Sequence, residues 1–182
     1  TLAVPGSAAA PPDYFQPLFA PDMGDTRAAL LIVDGRVAAK RYQPGYSDAN
    51  RFISWSMAKS VTAMLVGQLV TDGRLQLDAP APLSEWRNDA RREITLRHLL
   101  NMSAGLRHVE VGQPIENSDT NQTLFVAGTR DMAARAISRP LAHRPGMHFN
   151  YDSLTSIILA EIVTRTLTPS RDPRVRAEAY RR

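Results

Sequence analysis

The sequence predicts an α+β protein in which a short antiparallel hairpin precedes a mainly helical part. Three observations lead to this fold class. Two β-prone runs flank an Asp-Gly pair near residue 34, and apolar residues recur at helical spacing in two long stretches, 54–71 and 153–167. The 182 residues, 43% of them hydrophobic, are enough to build a core. Strands followed by helices, without regular alternation, are typical of α+β folds.

The hairpin is predicted from the segment ALLIV-DG-RVAAKRY. Its apolar and β-branched runs predict strands at 28–33 and 36–42. Asp34-Gly35 between them is a pair favoured in the type I′ turn, whose twist matches that of a hairpin. Turn-forming residues then predict a loop over 43–50.

The first long helix is predicted to begin at Ser54 or Trp55 and to run to about Thr71, where an Asp-Gly pair ends it. The apolar residues at helical spacing that predict it are Met57, Val61, Met64, Leu65 and Leu69. An extended connector is expected over 74–82. The stretch around Trp86 is expected to lie at the surface.

Three further helices are predicted after this connector. Thr95 can cap a short helix that Gly105 ends. The polar segment 109–123 is expected to form a loop over a cleft. Asp131 opens the next helix, which stops before a proline, and the last helix covers about 153–167.

The composition excludes several classes of protein. The chain has no cysteine, which excludes disulfides, thiolate metal sites and cysteine nucleophiles. That absence is compatible with a cytoplasmic location and with a periplasmic or secreted one, so the localisation stays open. No apolar run approaches the roughly 18 residues that would span a bilayer.

The sequence divides into an N-terminal arm, a central domain and a C-terminal tail that carries most of the net charge. Residues 1–27 are interpreted as an N-terminal arm whose first twelve residues form a flexible segment or a remnant of signal-peptide removal. Residues 28–168 are predicted to form a single, incomplete domain. The basic tail, 169–182, supplies +3 of the formal net charge of +4, so a groove that binds nucleic acid is not expected in the rest of the chain.

The run Ser-Met-Ala-Lys at 56–59 carries the clearest chemical signal. An offset of three residues on a helix places Ser56 and Lys59 on one face, within hydrogen-bonding reach. A serine hydroxyl needs a neighbouring base to attack at neutral pH, and a lysine that loses its proton can be that base, whereas arginine cannot. The chain has twenty arginines and only two lysines, Lys40 and Lys59.

Tyr151 is the third candidate. It follows the loop RPGMHFN and precedes an apolar helix, so its phenol is expected to be held rigidly at a helix entrance. With its pKa lowered by a cationic lysine, a tyrosinate could take the serine proton and then protonate the leaving group. The alternative is a structural tyrosine whose hydroxyl bonds a backbone carbonyl.

Four histidines are alternative bases for Ser56. His98 is expected to pack among leucines of a short helix, and His108, His143 and His148 lie in loops without an acidic partner at a recognisable spacing. A Ser-His-Asp triad is therefore possible without being supported. No pattern of zinc ligands or phosphate-binding glycines occurs.

Three segments in order, WSMAKSVTAMLVGQLVTDGRLQLDAP, ITLRHLLNMSAGL and RPGMHFNYDS, resemble the serine β-lactamase and penicillin-binding-protein superfamily. The closest similarity is to the class C β-lactamase-related branch with family VIII esterases, D-alanyl-D-alanine carboxypeptidases and 6-aminohexanoate-dimer hydrolases. The resemblance covers about 28–167. It implies the β-lactamase/transpeptidase-like fold, an antiparallel sheet packed with helices plus a mainly helical subdomain.

The resemblance also implies roles for the candidate residues. Ser56 would form an acyl-enzyme, Lys59 would keep protons moving, and Tyr151 would take the tyrosine place of the Y-x-N motif. The backbone N–H of Ser56 would supply half of the oxyanion hole. No metal or organic cofactor is implied.

Two departures from the family pattern shape the expected function. Ser153 stands where β-lactamases and peptidases of this branch usually have an asparagine that binds the substrate's amide, which favours an esterase or linear-amide hydrolase with Ser153 in the substrate site. The third family motif, a strand that supplies the other oxyanion N–H, is expected well downstream. The chain is therefore interpreted as a fragment that holds only the N-terminal hairpin and the helical part.

The sequence thus predicts a serine hydrolase acting on a small ester or linear amide, with a C-terminal segment of the same protein as a possible partner. Within enzymes, the alternatives are a β-lactamase or a D-alanyl-D-alanine carboxypeptidase. From another class, the alternative is a β-lactamase-like binding or sensor module that is non-catalytic or only becomes acylated.

Overall fold

The computed structural model of the chain describes residues 14–181. The predicted flexible segment over the first twelve residues lies outside the described residues. The chain divides into two units, residues 1–53 and residues 54–182. The first unit contains the sheet, and the second contains the helices.

The first unit contains the predicted hairpin. Strand β1, Ala28–Val33, pairs antiparallel with β2, Arg36–Tyr42, and these bounds match the prediction. Asp34 and Gly35 have φ values of 50° and 73°, the positive values that a type I′ turn requires at both central residues. The register shifts between Leu31 and Ile32, a β-bulge. In the described part of the chain, the sheet has these two strands.

The second unit opens on a 3₁₀ turn over Trp55–Met57, and helix α1 follows over Ala58–Thr71. The α-helix therefore begins later than predicted. Trp55 has a φ of 45°, in the left-handed region, so it cannot be part of a right-handed α-helix. The predicted end is confirmed, with Asp72 at the C-cap and Gly73 at a φ of 70°.

The remaining α-helices of the described residues all begin at a residue whose side chain accepts a hydrogen bond from a backbone N–H of the first turn. The caps are Thr95, Ser118, Asp131, Asp152 and Asp172. The helices are α2 (Leu96–Leu100), α3 (Asp119–Phe125), α4 (Met132–Ile137), α5 (Ser153–Leu167) and α6 (Pro173–Ala179). The helices predicted at Asp131 and at 153–167 are thus confirmed.

Two predictions between these helices are wrong. Helix α2 ends at Leu100, so Gly105 does not terminate it. Residue 105 is glycine for a different reason, because a Cβ there would lie 2.2 Å from the carbonyl oxygen of His143. The segment 109–123 is not a plain loop, since α3 begins at Asp119 and occupies its last third. The start of α3 could not be predicted because the segment is polar and shows no apolar periodicity.

The core of the second unit lies between α5 and its neighbours α1, α2 and α4. Its fully buried apolar side chains include Val66, Ile94, Leu96, Leu99, Leu154, Ile158, Ile162 and Val163. Trp86, expected at the surface, is 1% exposed, and its indole N–H donates to the Ile137 carbonyl at 2.9 Å. The indole can be buried because its one donor has a partner.

Helix α1 buries a narrower face than predicted. Of the five apolar residues that predicted it, Leu69 belongs to the core and the partly buried Leu65 packs against it, whereas Met57, Val61 and Met64 are exposed.

The tail contacts α5 through α6. The Arg176 guanidinium bonds the Glu161 carboxylate, and the Tyr180 hydroxyl lies 2.5 Å from Thr164 Oγ1 and 3.1 Å from the Ala160 carbonyl oxygen. Across residues 14–181, no helix combines the length and the apolar character that crossing a membrane requires.

Candidate active site

Ser56 lies in the middle of the 3₁₀ turn that leads into α1, and its side chain is exposed. Trp55, immediately before it, has the left-handed backbone conformation that is rare for a bulky residue. Conformations of this kind persist where the surrounding structure fixes them, and they cluster at functional sites. The hydroxyl of Ser56 is therefore presented to solvent directly after a backbone conformation of this kind.

Lys59 follows Ser56 by three residues and lies on the first turn of α1. Its Nζ donates a hydrogen bond to Ser56 Oγ at 3.0 Å. The other lysine has a different environment, because Lys40 Nζ lies 2.5 Å from the Asp48 carboxylate in the first unit. One lysine forms an ordinary ion pair, and the other bonds a serine hydroxyl.

Tyr151 reaches the same hydroxyl from the start of α5. Its phenol donates to Ser56 Oγ at 2.8 Å, across a separation of 95 residues. Lys59 Nζ lies 5.1 Å from the centre of the tyrosine ring. Hydrogen bonding to Ser56 and to Lys59, together with the charge of Lys59, lowers the pKa of the Tyr151 phenol below its ordinary value.

The three predicted catalytic side chains therefore meet at one oxygen. Ser56 Oγ accepts from an ammonium and from a phenol in the described structure, and both groups can exchange protons with it. Tyr151 is 39% exposed, so an acyl donor can reach this cluster from solvent. The arrangement has the parts for attack by an activated hydroxyl on a carbonyl carbon.

Ser153, the predicted substrate-binding residue, makes a different contact. Its hydroxyl donates to Glu110 Oε1 at 2.6 Å, and its backbone N–H donates to Glu110 Oε2 at 2.9 Å. Its part in substrate binding stays a prediction.

The histidines have partners other than Ser56. His98 is only partly buried, and its Nδ1 accepts from the Thr95 N–H to complete the capping box of α2. The rings of His143 and His148 pack against each other with centroids 4.4 Å apart and planes tilted by 35°.

The prediction that His108 has no acidic partner is wrong. Its side chain is 1% exposed, with Nε2 at 2.6 Å from Glu110 Oε2 and Nδ1 at 3.5 Å from Asp152 Oδ1. Glu110 lies only two residues away, but Asp152 is brought in by the fold. The part that Glu110 plays could not be predicted from the sequence, because no local spacing links Glu110 to the residues that follow Tyr151.

Over residues 14–181, no group of three or more histidine, cysteine, aspartate or glutamate side chains has an arrangement that could hold a metal ion.

Comparisons with known proteins give a family and a fold. The model of the family described as Beta-lactamase matches residues 15–172. Among solved structures, the chain is similar to one described as "Putative 6-aminohexanoate-dimer hydrolase from Bacillus anthracis", with a TM-score of 0.65 and 23% sequence identity. That similarity covers 82% of this chain and 42% of the other, so this chain spans less than half of its length. No curated protein matches the sequence.

Proposed function

We propose that this chain, which belongs to the beta-lactamase family, carries the nucleophile and both proton-transfer groups of a serine hydrolase. One observation carries the proposal: Ser56 Oγ lies 3.0 Å from Lys59 Nζ and 2.8 Å from the Tyr151 phenol oxygen. The assignment is Ser56 as nucleophile, Tyr151 as general base and acid, and Lys59 as the group that stabilises the phenolate and exchanges protons.

Acylation in this proposal begins from the ionised phenol. The Tyr151 phenolate takes the Ser56 hydroxyl proton while Oγ bonds the carbonyl carbon and the C=O electron pair moves to oxygen. The backbone N–H of Ser56 is one proposed donor to that oxyanion. The carbonyl then re-forms, the bond to the leaving group breaks, and Tyr151 returns its proton to the leaving oxygen or nitrogen.

Deacylation repeats these steps with water. Tyr151 removes a proton from the water that attacks the acyl carbon, and the same proton then goes to Ser56 Oγ as the acyl bond breaks. The products are an acid and the free hydroxyl. Lys59 remains beside both oxygens, where its charge favours the phenolate form of Tyr151.

The proposed substrate is a small ester or a linear amide. The support is Ser153, which stands where β-lactamases and peptidases of the branch usually have an amide side chain. In this structure its hydroxyl is bonded to Glu110. A β-lactamase or D-alanyl-D-alanine carboxypeptidase activity is the alternative among enzymes, and an acylation-only sensor is the alternative among binding proteins.

Covalent labelling separates these functions. The protein is mixed with a fluorophosphonate, with a short-chain p-nitrophenyl ester and with a fluorescent penicillin, and intact mass spectra are taken over time. Turnover of the ester with a fluorophosphonate adduct on Ser56 is expected. A stable penicillin adduct without ester turnover would instead indicate a sensor, and no adduct on Ser56 with any reagent would contradict the proposal.

Replacing Tyr151 with phenylalanine is expected to lower kcat for the ester by about a hundredfold or more, the usual contribution of a positioned acid or base. The ring remains, so KM should change much less. The measurement is steady-state hydrolysis, with Tyr46→Phe as control because Tyr46 uses its ring against Phe52. A change confined to KM would make Tyr151 a binding residue.

The rate of Ser56 labelling is expected to rise with pH. The base is the deprotonated phenol, and the pKa of Tyr151 is lowered by its bonds to Ser56 and Lys59, so the rise should be centred below the usual tyrosine value of about 10. The test is the fluorophosphonate labelling rate between pH 6 and 11 (about one reading per half unit), a span chosen around that value. The rise should be absent in Tyr151→Phe, and a rise of equal midpoint in that variant would assign the titration to another group.

A further inference from the structure

The turn that carries Tyr151, residues 150–153, is bonded to the segment 108–110 on both sides of the tyrosine. Before Tyr151, the side-chain amide of Asn150 donates to the His108 carbonyl at 3.3 Å. After it, the backbone N–H and the hydroxyl of Ser153 donate to the Glu110 carboxylate at 2.9 Å and 2.6 Å. The phenol therefore projects from a short piece of chain that is fixed at both ends.

Glu110 is the centre of these contacts. Its carboxylate accepts from Ser153 twice, lies 2.6 Å from His108 Nε2 and accepts from the Thr120 hydroxyl at 2.9 Å. Burial alone would raise the pKa of Glu110, but the bonds from Ser153, His108 and Thr120 together lower it. The carboxylate is thus ionised at neutral pH and able to hold several donors at once.

His108 links the same carboxylate to the cap of α5. Its buried ring lies between Glu110 and Asp152, whose Oδ1 accepts from the Leu154 and Thr155 N–H groups. Within the described residues, His108 Nδ1 has no hydrogen-bond partner and lies 3.5 Å from Asp152 Oδ1. The ring thus fills the space between the two carboxylates that flank the tyrosine's turn.

The segment 108–110 is itself fixed by the start of α3. Ser118 Oγ donates to the Glu110 carbonyl at 2.6 Å, and Val109 and Asp119 are joined by two bonds of 2.8 Å and 2.9 Å. Glu110 is therefore attached to a helix start and is not a mobile loop residue.

We infer that Glu110 is a positioning residue for Tyr151, acting through Ser153 and His108 to keep the phenol within hydrogen-bonding distance of Ser56. This inference rests on the proposed function. A phenol 2.8 Å from Ser56 Oγ can transfer a proton, whereas a displacement of about 1 Å can cost on the order of a hundredfold in rate. Glu110 touches neither Ser56 nor Lys59 in the contacts described above, so its effect on the reaction must pass through Tyr151.

The test is a double-mutant cycle with Glu110→Gln and Tyr151→Phe. Gln keeps the shape and one acceptor oxygen but removes the charge that holds four contacts. We expect Glu110→Gln to lower kcat for a p-nitrophenyl ester by about tenfold, with KM within about twofold, since position and not ground-state binding is lost. In the Tyr151→Phe background the same change should reduce kcat by less than about twofold, because residues that act through one group are not additive.

A matched control is Glu116→Gln, a second glutamate six residues further along whose side chain is exposed. It should leave kcat unchanged. Circular dichroism and thermal unfolding of each variant check that the fold is kept. If Glu110→Gln does not fold, Ser153→Ala removes only one of the contacts, and its smaller loss of kcat should likewise vanish in the Tyr151→Phe background.

The outcomes separate the two proposals. An equal fractional loss of kcat in both backgrounds, or a wild-type kcat in Glu110→Gln, would overturn the positioning role while the hydrolase proposal stands. No ester turnover by the unmodified protein would overturn both.

Discussion

Ester hydrolysis by the Ser56→Ala variant is expected to fall by roughly four orders of magnitude or more, the scale seen when a serine nucleophile is removed. In the proposed mechanism Ser56 alone forms the acyl-enzyme, because Lys59 and Tyr151 are assigned to proton transfer. Ser56 is exposed and lies outside the core, so the thermal unfolding midpoint should change little. The measurements are p-nitrophenyl ester hydrolysis and intact mass after fluorophosphonate treatment.

Ser60→Ala is the matched control for this change. Ser60 lies on α1, one residue after Lys59, and its side chain is exposed. The control should retain both hydrolysis and the adduct. Activity within tenfold of the unmodified protein in Ser56→Ala would remove Ser56 as the nucleophile.

The Lys59→Arg variant is expected to lose on the order of a thousandfold in kcat, within the range for a positioned proton-transfer group. Arginine keeps the positive charge, but it does not become a neutral base, and its planar group cannot present a single compact donor 3.0 Å from Ser56 Oγ. The hydrogen bond from Lys59 to the phenol also helps to lower the pKa of Tyr151, so its loss should leave Tyr151 less ionised even though the positive charge is kept.

The chain's other lysine provides the comparison. Lys40 pairs with Asp48, and Lys40→Arg can keep this ion pair, so hydrolysis should remain within about twofold, as expected for an exposed pair. If Lys59→Arg is also as active as the unmodified protein, the role of Lys59 is purely electrostatic and proton exchange through its amine is excluded.

The features that could be predicted from the sequence are those encoded locally. The hairpin was predictable because Asp34-Gly35 fits one turn type, and the bounds of α5 were predictable from its apolar periodicity and the proline after it. The contact between Ser56 and Lys59 depends on an offset of three residues. Tyr151 could be joined to them only through the family resemblance, since 95 residues separate it from Ser56.

The features that were missed depend on contacts between distant segments. Glu110 meets Ser153, 43 residues later, and no sequence pattern encodes that pairing. Trp86 is buried because its N–H reaches the Ile137 carbonyl, 51 residues away. The later start of α1 depends on the backbone of Trp55, whose left-handed conformation is not one that a tryptophan prefers.

Helix α5 is part of the hydrophobic core, and its N-terminal end adjoins the candidate active site. It contacts every other α-helix of the described second unit, and Tyr151 immediately precedes its N-cap, Asp152. The amide hydrogens in its buried middle, around Ile158 and Ile162, can exchange with solvent only when the surrounding helices separate. Any opening large enough to release them is expected to withdraw the phenol from Ser56 as well, so exchange of these amides reports on openings that disassemble the candidate active site.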